Sequence, residues 1–269
     1  MAFRRLVRGQ VPWERLEAIV REVMDRYSYR EVHVRFLDAD NWLSTPFVIE
    51  EELFVKVVTQ QNSLVHALLT TGRNLGAFSS GTEGFFEHFG TPLQMAEHEL
   101  DATRRMRDID VGAPEPLEAF EYDGFGVLVL EYLPEFRSLN DLDRTHIRSF
   151  AVPLFEALSR MHEAGLVHGD LRAENVLVSD GDLYFIDATS VREDGVDDAR
   201  AYDLACALAV LAPLIGDAEA VEAALAVYDP GELLLADEFL DFIVLRPDHD
   251  FDVTAVRGEI EKRATSLGW

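Results

Sequence analysis

The stretch that decides the fold reads His168-Gly-Asp170-Leu-Arg-Ala-Glu-Asn175-Val-Leu-Val178 and, after an Asp-Gly turn, Leu183-Tyr-Phe-Ile-Asp187. It places an asparagine five positions after an aspartate and a second aspartate at the end of the next apolar strand. A hairpin of this kind would bring the three polar side chains into one cleft. Isolated aspartates are usually turn or strand-end residues, but the combination of spacing, residue type and flanking strands favours a functional cluster.

Phosphoryl transfer is the chemistry that this cluster predicts. The reaction needs a nucleophile held in line and the phosphate charge neutralised by metal, with little covalent help from the protein. Asp170 would orient the nucleophile or accept its proton, while Asn175 and Asp187 would supply hard oxygen ligands for magnesium.

The same motif resembles the protein kinase-like superfamily, and most closely the atypical RIO serine/threonine kinases, whose loop shares the His-Gly-Asp-Leu start and the asparagine. The resemblance covers roughly residues 30–215. It implies an α+β, bilobal protein kinase-like fold, with an antiparallel five-stranded sheet and one main helix in the N-lobe and a mostly helical C-lobe. It also implies ATP with Mg²⁺, or Mn²⁺ in its place, as the cofactors.

Hydrophobic periodicity along the chain agrees with this division. It predicts helices at Trp13–Tyr27, Gln94–Arg107, Ile147–Ala164 and from Ala201 onward. The predicted strands are Glu31–Leu37, Pro46–Glu50, Leu53–Val58, Ala119–Tyr122, Val127–Tyr132, Val176–Val178 and Leu183–Ile186, with Pro114 and Pro116 ending regular structure before the fourth strand. We therefore expect a helical extension at 1–28, an N-lobe at 29–133 with an insertion at 59–95, and a C-lobe at 134–269.

The resemblance implies roles for N-lobe residues. Lys56, flanked by apolar residues in Leu53–Val58, matches the strand lysine that contacts the α- and β-phosphates, although a solvated edge-strand lysine is the common alternative. Its expected helix partner is Glu99, with Glu97 as an alternative. The Glu131 carbonyl and the Leu133 amide would bind adenine, with Leu130 as the gatekeeper.

Two C-lobe residues receive supporting roles. Asp203 matches the helix aspartate that braces the catalytic loop, and an ordinary helix N-cap is the alternative. His168 is interpreted as a structural residue of that loop.

Three departures from ordinary kinases narrow the function. Only fifteen residues separate Asp187 from Asp203, without an Ala-Pro-Glu motif, which argues against an extended-peptide substrate. The sequence Ala188-Thr189 replaces Phe-Gly after the metal aspartate, and the segment Asp38–Trp42 lacks the glycines that bring backbone close to phosphates.

Composition limits the partners. The 269 residues include 50 acidic and 24 basic residues, giving a formal net charge of −26, which argues against direct binding to nucleic acid or anionic membrane. Only Lys56 and Lys262 are lysines, a balance that resembles proteins of salt-loving organisms and suggests a haloarchaeon. No apolar run has the length of a membrane span, so we expect a cytoplasmic protein, with the lone Cys206 buried.

Three functions remain open on the sequence. The first is a RIO-type kinase or ATPase that acts on a protein or on itself. The second is a small-molecule phosphotransferase similar to aminoglycoside and choline kinases, and the third is a nucleotide-binding pseudokinase scaffold.

Overall fold

A computed structural model describes residues 11–37, 44–59, 90–188, 196–244 and 249–269 of the protein. The predicted glycine-free segment Asp38–Trp42, most of the predicted insertion 59–95, and Thr189 lie outside the described residues. The chain divides into two compact units. Among the described residues, the first comprises 11–37, 44–59, 90–101 and Pro114–Pro134, and the second comprises Ala102–Ala113 and the described residues from Glu135 to Trp269.

The first unit begins with helix α1 at Trp13–Tyr27, the bounds that the periodicity predicts. Its apolar residues recur at helical spacing, and Leu16, Ile19 and Val23 are buried. They share one core with Phe47, Ile49 and other strand residues. The leading helix therefore belongs to the core of this unit.

A five-stranded antiparallel sheet follows helix α1 in the first unit, as predicted. Its strands are β1 at Val34–Phe36, β2 at Thr45–Ile49, β3 at Leu53–Val58, β4 at Pro116–Tyr122 and β5 at Phe125–Glu131. They are ordered β1-β2-β3-β5-β4, so Lys56 on β3 pairs with Leu128 of β5 in the middle of the sheet. A lysine on an edge strand, the alternative interpretation, is therefore wrong.

The sequence predicts that Pro116 ends regular structure before the fourth strand. This prediction is wrong, because β4 begins at Pro116. β4 lies at the edge of the sheet, where proline is tolerated because one side of the strand needs no partner. The register shifts between Pro116 and Glu118, which accommodates the irregular start.

Helix α2 spans Pro92–Asp108, beginning two residues before the predicted start. The hydroxyl of Thr91 accepts a hydrogen bond from the Gln94 amide, as an N-terminal cap does. The last four residues of the predicted insertion therefore belong to this helix.

The second unit is mostly helical, as predicted. Its helices are α3 at Arg144–Glu163, α4 at Val196–Ile215, α5 at Asp217–Leu225, α6 at Pro230–Ile243 and α7 at Val253–Leu267. A small sheet joins β6 at Arg137–Ser138, β7 at Val176–Ser179 and β8 at Asp182–Phe185, with single 3-10 turns at Leu139–Asp141 and Ala173–Asn175. The α4 residues Tyr202 to Ala212 are buried, including Cys206, so this helix occupies the centre of the core.

Helix α4 starts five residues before the predicted Ala201, because acidic Asp197 and Asp198 occupy its first turn. Negative side chains stabilise a helix start, although they interrupt the apolar pattern. In the described part of the chain, the helices all fall short of the length and apolarity that crossing a membrane requires.

Candidate active site

An ion pair links strand β3 to helix α2 within the first unit. The Lys56 Nζ atom lies 2.9 Å from Oε1 and 2.7 Å from Oε2 of Glu99. The side chains of Lys56 and Glu99 are only 9% and 14% exposed, whereas Glu97 is exposed. The structure thus pairs Lys56 with Glu99 and leaves Glu97 at the surface.

The backbone after strand β5 alternates its bonding direction. The Glu131 amide donates at 2.9 Å to the carbonyl of Glu115, which precedes β4 on one side of β5. The Tyr132 amide donates at 2.8 Å to the carbonyl of Glu52, which precedes β3 on the other side. Because bonding directions alternate along extended backbone, the Glu131 carbonyl and the Leu133 amide face the side away from Glu52. The Glu131 carboxylate accepts from the Glu115 amide at 3.2 Å. Leu130, the predicted gatekeeper, is buried.

Asp170 and Asn175 are held together in the second unit. The Asn175 side chain is almost fully buried, and its Nδ2 atom donates to the Asp170 carbonyl at 2.8 Å. This bond identifies which amide atom is nitrogen, so the Oδ1 oxygen points away from the Asp170 backbone and can ligate a cation. The Asp170 carboxylate is 20% exposed and therefore accessible.

Backbone contacts place Asp187 beside the same loop. The Ile186 amide donates to the Asn175 carbonyl at 3.1 Å, one residue before Asp187. The Phe185 amide donates to the Gly112 carbonyl at 2.8 Å. A Cβ atom on Gly112 would lie 2.0 Å from the Leu183 carbonyl oxygen, so only glycine permits this approach.

Asp187 also has a left-handed backbone, with φ at 61°. This conformation is uncommon for residues with a side chain, although aspartate adopts it more readily than most. Residues in such conformations cluster at functional sites, where the surrounding structure holds them in place.

Arg172 is a charged neighbour that the sequence analysis missed. Its Nε atom lies 3.3 Å from Oδ2 of Asp170, its side chain also contacts Glu174, and Nη2 is 3.5 Å from Oδ1 of Asn175. Its place in the loop, two residues after Asp170, was the available signal. A cation here can balance carboxylate charge or attract a phosphate.

Asp203 is fully buried beneath the loop. Its two oxygens accept from the His168 amide at 2.6 Å and from the Gly169 amide at 2.7 Å. It lies inside α4 and not at its start, so the N-cap alternative is wrong. Burial lowers the pKa of His168 despite the opposing effect of Asp203 and other carboxylates, which favours the neutral imidazole expected of a structural residue.

The donor set of Asn175 and Asp187 fits magnesium. In the described residues there is no cluster of three His, Cys, Asp or Glu side chains that could hold a metal. Mg²⁺ is commonly bound through one or two carboxylates together with phosphate oxygens and water. Two hard oxygen donors therefore suit a metal that arrives with a nucleotide.

Comparison with known proteins finds a family model that matches the segment containing this loop. Residues 91–201 match the family model described as the RIO domain. The resemblance to RIO kinases is confirmed. The RIO-like segment contains Glu99, Asp170, Asn175 and Asp187, whereas Lys56 precedes it.

Three curated proteins are similar to the chain. KEOPS complex subunit Bud32 of Pyrococcus abyssi is 30% identical over 105 residues, covering 38% of this chain and 46% of that protein. Serine/threonine-protein kinase RIO1 of Chaetomium thermophilum is 31% identical over 119 residues, covering 38% and 22%. A probable bifunctional tRNA threonylcarbamoyladenosine biosynthesis protein of Methanothermobacter thermautotrophicus is 33% identical over 78 residues, covering 27% and 14%. Each match spans less than half of the relative.

A solved structure supports the kinase-like fold. The crystal structure of aminoglycoside-3'-phosphotransferase of type VIII aligns with a TM-score of 0.51 and 17% identity, covering 84% of this chain and 97% of that chain. At this identity the likeness concerns the fold alone.

Proposed function

We propose that this protein is a Mg-ATP-dependent phosphotransferase of RIO type, which transfers the γ-phosphate of ATP or hydrolyses it. The observation that carries the proposal is the buried ion pair between Lys56 and Glu99. Withdrawing two charges from water costs free energy that their mutual attraction does not always return. A pair held at this position of a kinase-like fold is explained by a need to orient the lysine towards phosphates.

The first unit would bind the nucleotide. Lys56 would contact the α- and β-phosphates, and Glu99 would hold its ammonium group in position. The Glu131 carbonyl and the Leu133 amide would bond to adenine, because both face the same side of the strand end. The Glu115 amide donates to the Glu131 carboxylate and not to the Glu131 carbonyl, which supports a role for that carbonyl in binding adenine.

The second unit would carry the transfer step. Asp170 would orient the attacking hydroxyl or water and accept its proton. Asn175 and Asp187 would hold Mg²⁺, or Mn²⁺ in its place, which neutralises charge on the phosphates when bound. Arg172 would exchange its contact with Asp170 for the transferred phosphate as that charge arrives.

The acceptor class is proposed from the relatives. RIO1 is named a serine/threonine-protein kinase, and Bud32 is named a subunit of the KEOPS complex. We therefore favour a protein acceptor, which includes self-phosphorylation, or an ATPase cycle coupled to a partner protein. The net charge of −26 disfavours direct contact with nucleic acid. A cytoplasmic location and a haloarchaeal origin stay predictions.

A small-molecule acceptor is the second candidate. It is supported by the fold similarity to an aminoglycoside phosphotransferase, which covers 84% of this chain, and by the short interval between Asp187 and Asp203. A pseudokinase scaffold is a third, weaker candidate, because Lys56, Asp170, Asn175 and Asp187 are all present.

The test measures phosphate release and self-labelling from Mg-ATP in high potassium chloride. The parent protein is compared with Asp170→Ala and Asp187→Asn, and with Asp182→Asn as a matched control on the same hairpin as Asp187. We expect both site variants to lose activity and the control to retain it. Equal activity in all four proteins would contradict the assigned site. A folded parent that acts only after hydroxylated metabolites are added would favour the small-molecule enzyme.

A further inference from the structure

A buried polar chain continues below Asp203 into the helical core of the second unit. The Nε2 atom of His162 on α3 lies 3.3 Å from Oδ2 of Asp203, and the hydroxyl of Tyr228 lies 2.9 Å from Nδ1 of His162. Asp203 is fully buried, and His162 and Tyr228 are 4% and 7% exposed. Three groups from distant parts of the sequence therefore meet under the loop that ends in Asp170.

The direction of each hydrogen bond follows from the chemistry of Asp203. Its carboxylate oxygens accept from two backbone amides and have no proton to donate, so Nε2 of His162 donates to Oδ2 and Nδ1 accepts from the Tyr228 hydroxyl, whose pKa is raised by burial. An imidazole that accepts at Nδ1 carries its own proton on Nε2. His162 then donates to Asp203, and Asp203 accepts from the His168 and Gly169 amides.

The hydrogen bonds that Asp203 accepts fix the backbone just before Asp170. Gly169 has a positive φ of 75°, and its amide and the His168 amide both bond to Asp203. Rotation of the Asp203 carboxylate would move both amides and change the direction in which Asp170 leaves the turn. The Asp203 side chain has few torsions, and the hydrogen bond from Nε2 of His162 restrains their rotation. This bond therefore influences how firmly the carboxylate is held.

The core around these groups is largely apolar. Phe155 packs edge-on against Tyr228 within a cluster of aliphatic and aromatic side chains, and Arg200 donates to the His162 carbonyl at its margin. Placing polar groups in such a core stabilises the fold no better than well-packed apolar residues would. Hydrogen bonds between these groups instead fix a single arrangement of the side chains. A catalytic loop requires such an arrangement, whereas an apolar core that serves only stability does not.

We propose that Tyr228 and His162 are positioning residues, which hold Asp203 so that its oxygens fix the His168 and Gly169 amides and thereby the direction of Asp170. The inference rests on the proposed function, because Asp170 matters only if the loop performs phosphoryl transfer. The geometry of the loop itself can be measured without any reaction.

The test compares four variants with the parent protein. His162→Leu removes both ring nitrogens, while His162→Gln keeps an N–H donor near the position of Nε2. Tyr228→Phe removes only the hydroxyl. Ile260→Ala is the matched control, because it removes buried volume on α7 and lowers stability without removing any polar group.

Amide hydrogen exchange of His168 and Gly169, followed by NMR in the absence of nucleotide, is the first readout. Loss of one hydrogen bond changes a local opening equilibrium by about fivefold. We expect exchange to accelerate about fivefold in Tyr228→Phe and at least about tenfold in His162→Leu. His162→Gln should stay within about threefold of the parent, and Ile260→Ala should leave these two amides unchanged well below its unfolding temperature.

The second readout is phosphoryl transfer. We expect kcat to fall by about the same factors in His162→Leu and Tyr228→Phe, with KM for ATP unchanged within about twofold, and to recover in His162→Gln. Unchanged exchange in His162→Leu would overturn the proposal, as would equal effects in Ile260→Ala. If the parent shows no transfer at all, the proposed function fails, and the exchange experiment still decides whether the chain positions the loop.

Discussion

Removing one partner of the buried ion pair should destabilise the protein far more than removing both. In Glu99→Leu the Lys56 ammonium, 9% exposed, loses the two oxygens that lie 2.7 Å and 2.9 Å away. Breaking a fully buried pair costs about 3–5 kcal/mol, and the slight exposure here lowers our expectation to about 2–4 kcal/mol. The double variant Lys56→Met/Glu99→Leu replaces charge by apolar volume and should lie within about 1 kcal/mol of the parent.

The assay is urea unfolding of the parent, both single variants and the double variant, in low salt and in molar potassium chloride. The coupling free energy from this cycle should persist in high salt, because buried pairs are screened much less than exposed ones. The pair Arg148 and Glu219, which is bidentate but nearly half exposed, is the matched control. Its coupling should be smaller and should decline with added salt.

The activity of the same proteins separates stability from function. All three Lys56 and Glu99 variants should lose phosphate release, although the double variant recovers its stability. A coupling free energy of zero within error would refute the structural reasoning. A double variant with full stability and full activity would refute the role of the pair in nucleotide use.

Three further predictions follow from single contacts. Gly112→Ala places Cβ 2.0 Å from the Leu183 carbonyl oxygen, so thermal unfolding should show a loss of about 2–4 kcal/mol and phosphate release should fall, whereas Gly258→Ala, with no atom within 4 Å, should gain about 0.5–1 kcal/mol. Because the pKa of His168 is lowered in the fold, its contribution to stability is present above about pH 6.5 and is lost as pH falls below that value, by at most about 1.4 kcal/mol per pH unit. The free energy of unfolding, measured with urea in metal-free buffer, should depend less steeply on pH in His168→Asn than in the parent between about pH 7 and about pH 5.5. The difference in slope should correspond to at most one proton taken up on unfolding. Arg172→Gln should lower kcat about 10-fold to 100-fold with unchanged unfolding, since a cation 3.3 Å from Asp170 is lost, and equal kcat would exclude a role in transfer.

Local patterns were sufficient for much of the fold. Helix α1 and strand β3 have the predicted bounds, because each carries an uninterrupted apolar period. The turns at Asp123-Gly124 and Asp180-Gly181 adopt positive φ at both residues, as hairpin turns of this composition do. The predictions for Pro116 and for the first turn of α4 were wrong. An edge strand tolerates proline and acidic residues stabilise the start of a helix, and the spacing of apolar residues reveals neither effect.

The sequence suggests the candidate site where spacing along the chain carries it. Asp170 and Asn175 precede one hairpin and Asp187 follows it, so the sequence alone predicts that they converge, and this stays a prediction. Gly112 and Tyr228 could not be found in this way, because their partners are distant in sequence. Gly112 meets Leu183, and Tyr228 meets His162 across 66 residues, so only the packed core reveals them.

The two kinds of contact in this protein should respond differently to salt. Exposed pairs such as Arg148 with Glu219 lie in solvent, where molar salt reduces the Debye length to about 3 Å. The contacts that orient Asp170, Asn175 and Asp187 are backbone hydrogen bonds and a fully buried carboxylate, which salt scarcely reaches. In a chain with a formal charge of −26, self-repulsion opposes compactness at low salt. Added salt should therefore stabilise the fold as a whole while leaving the local geometry of the loop from His168 to Asn175 unchanged.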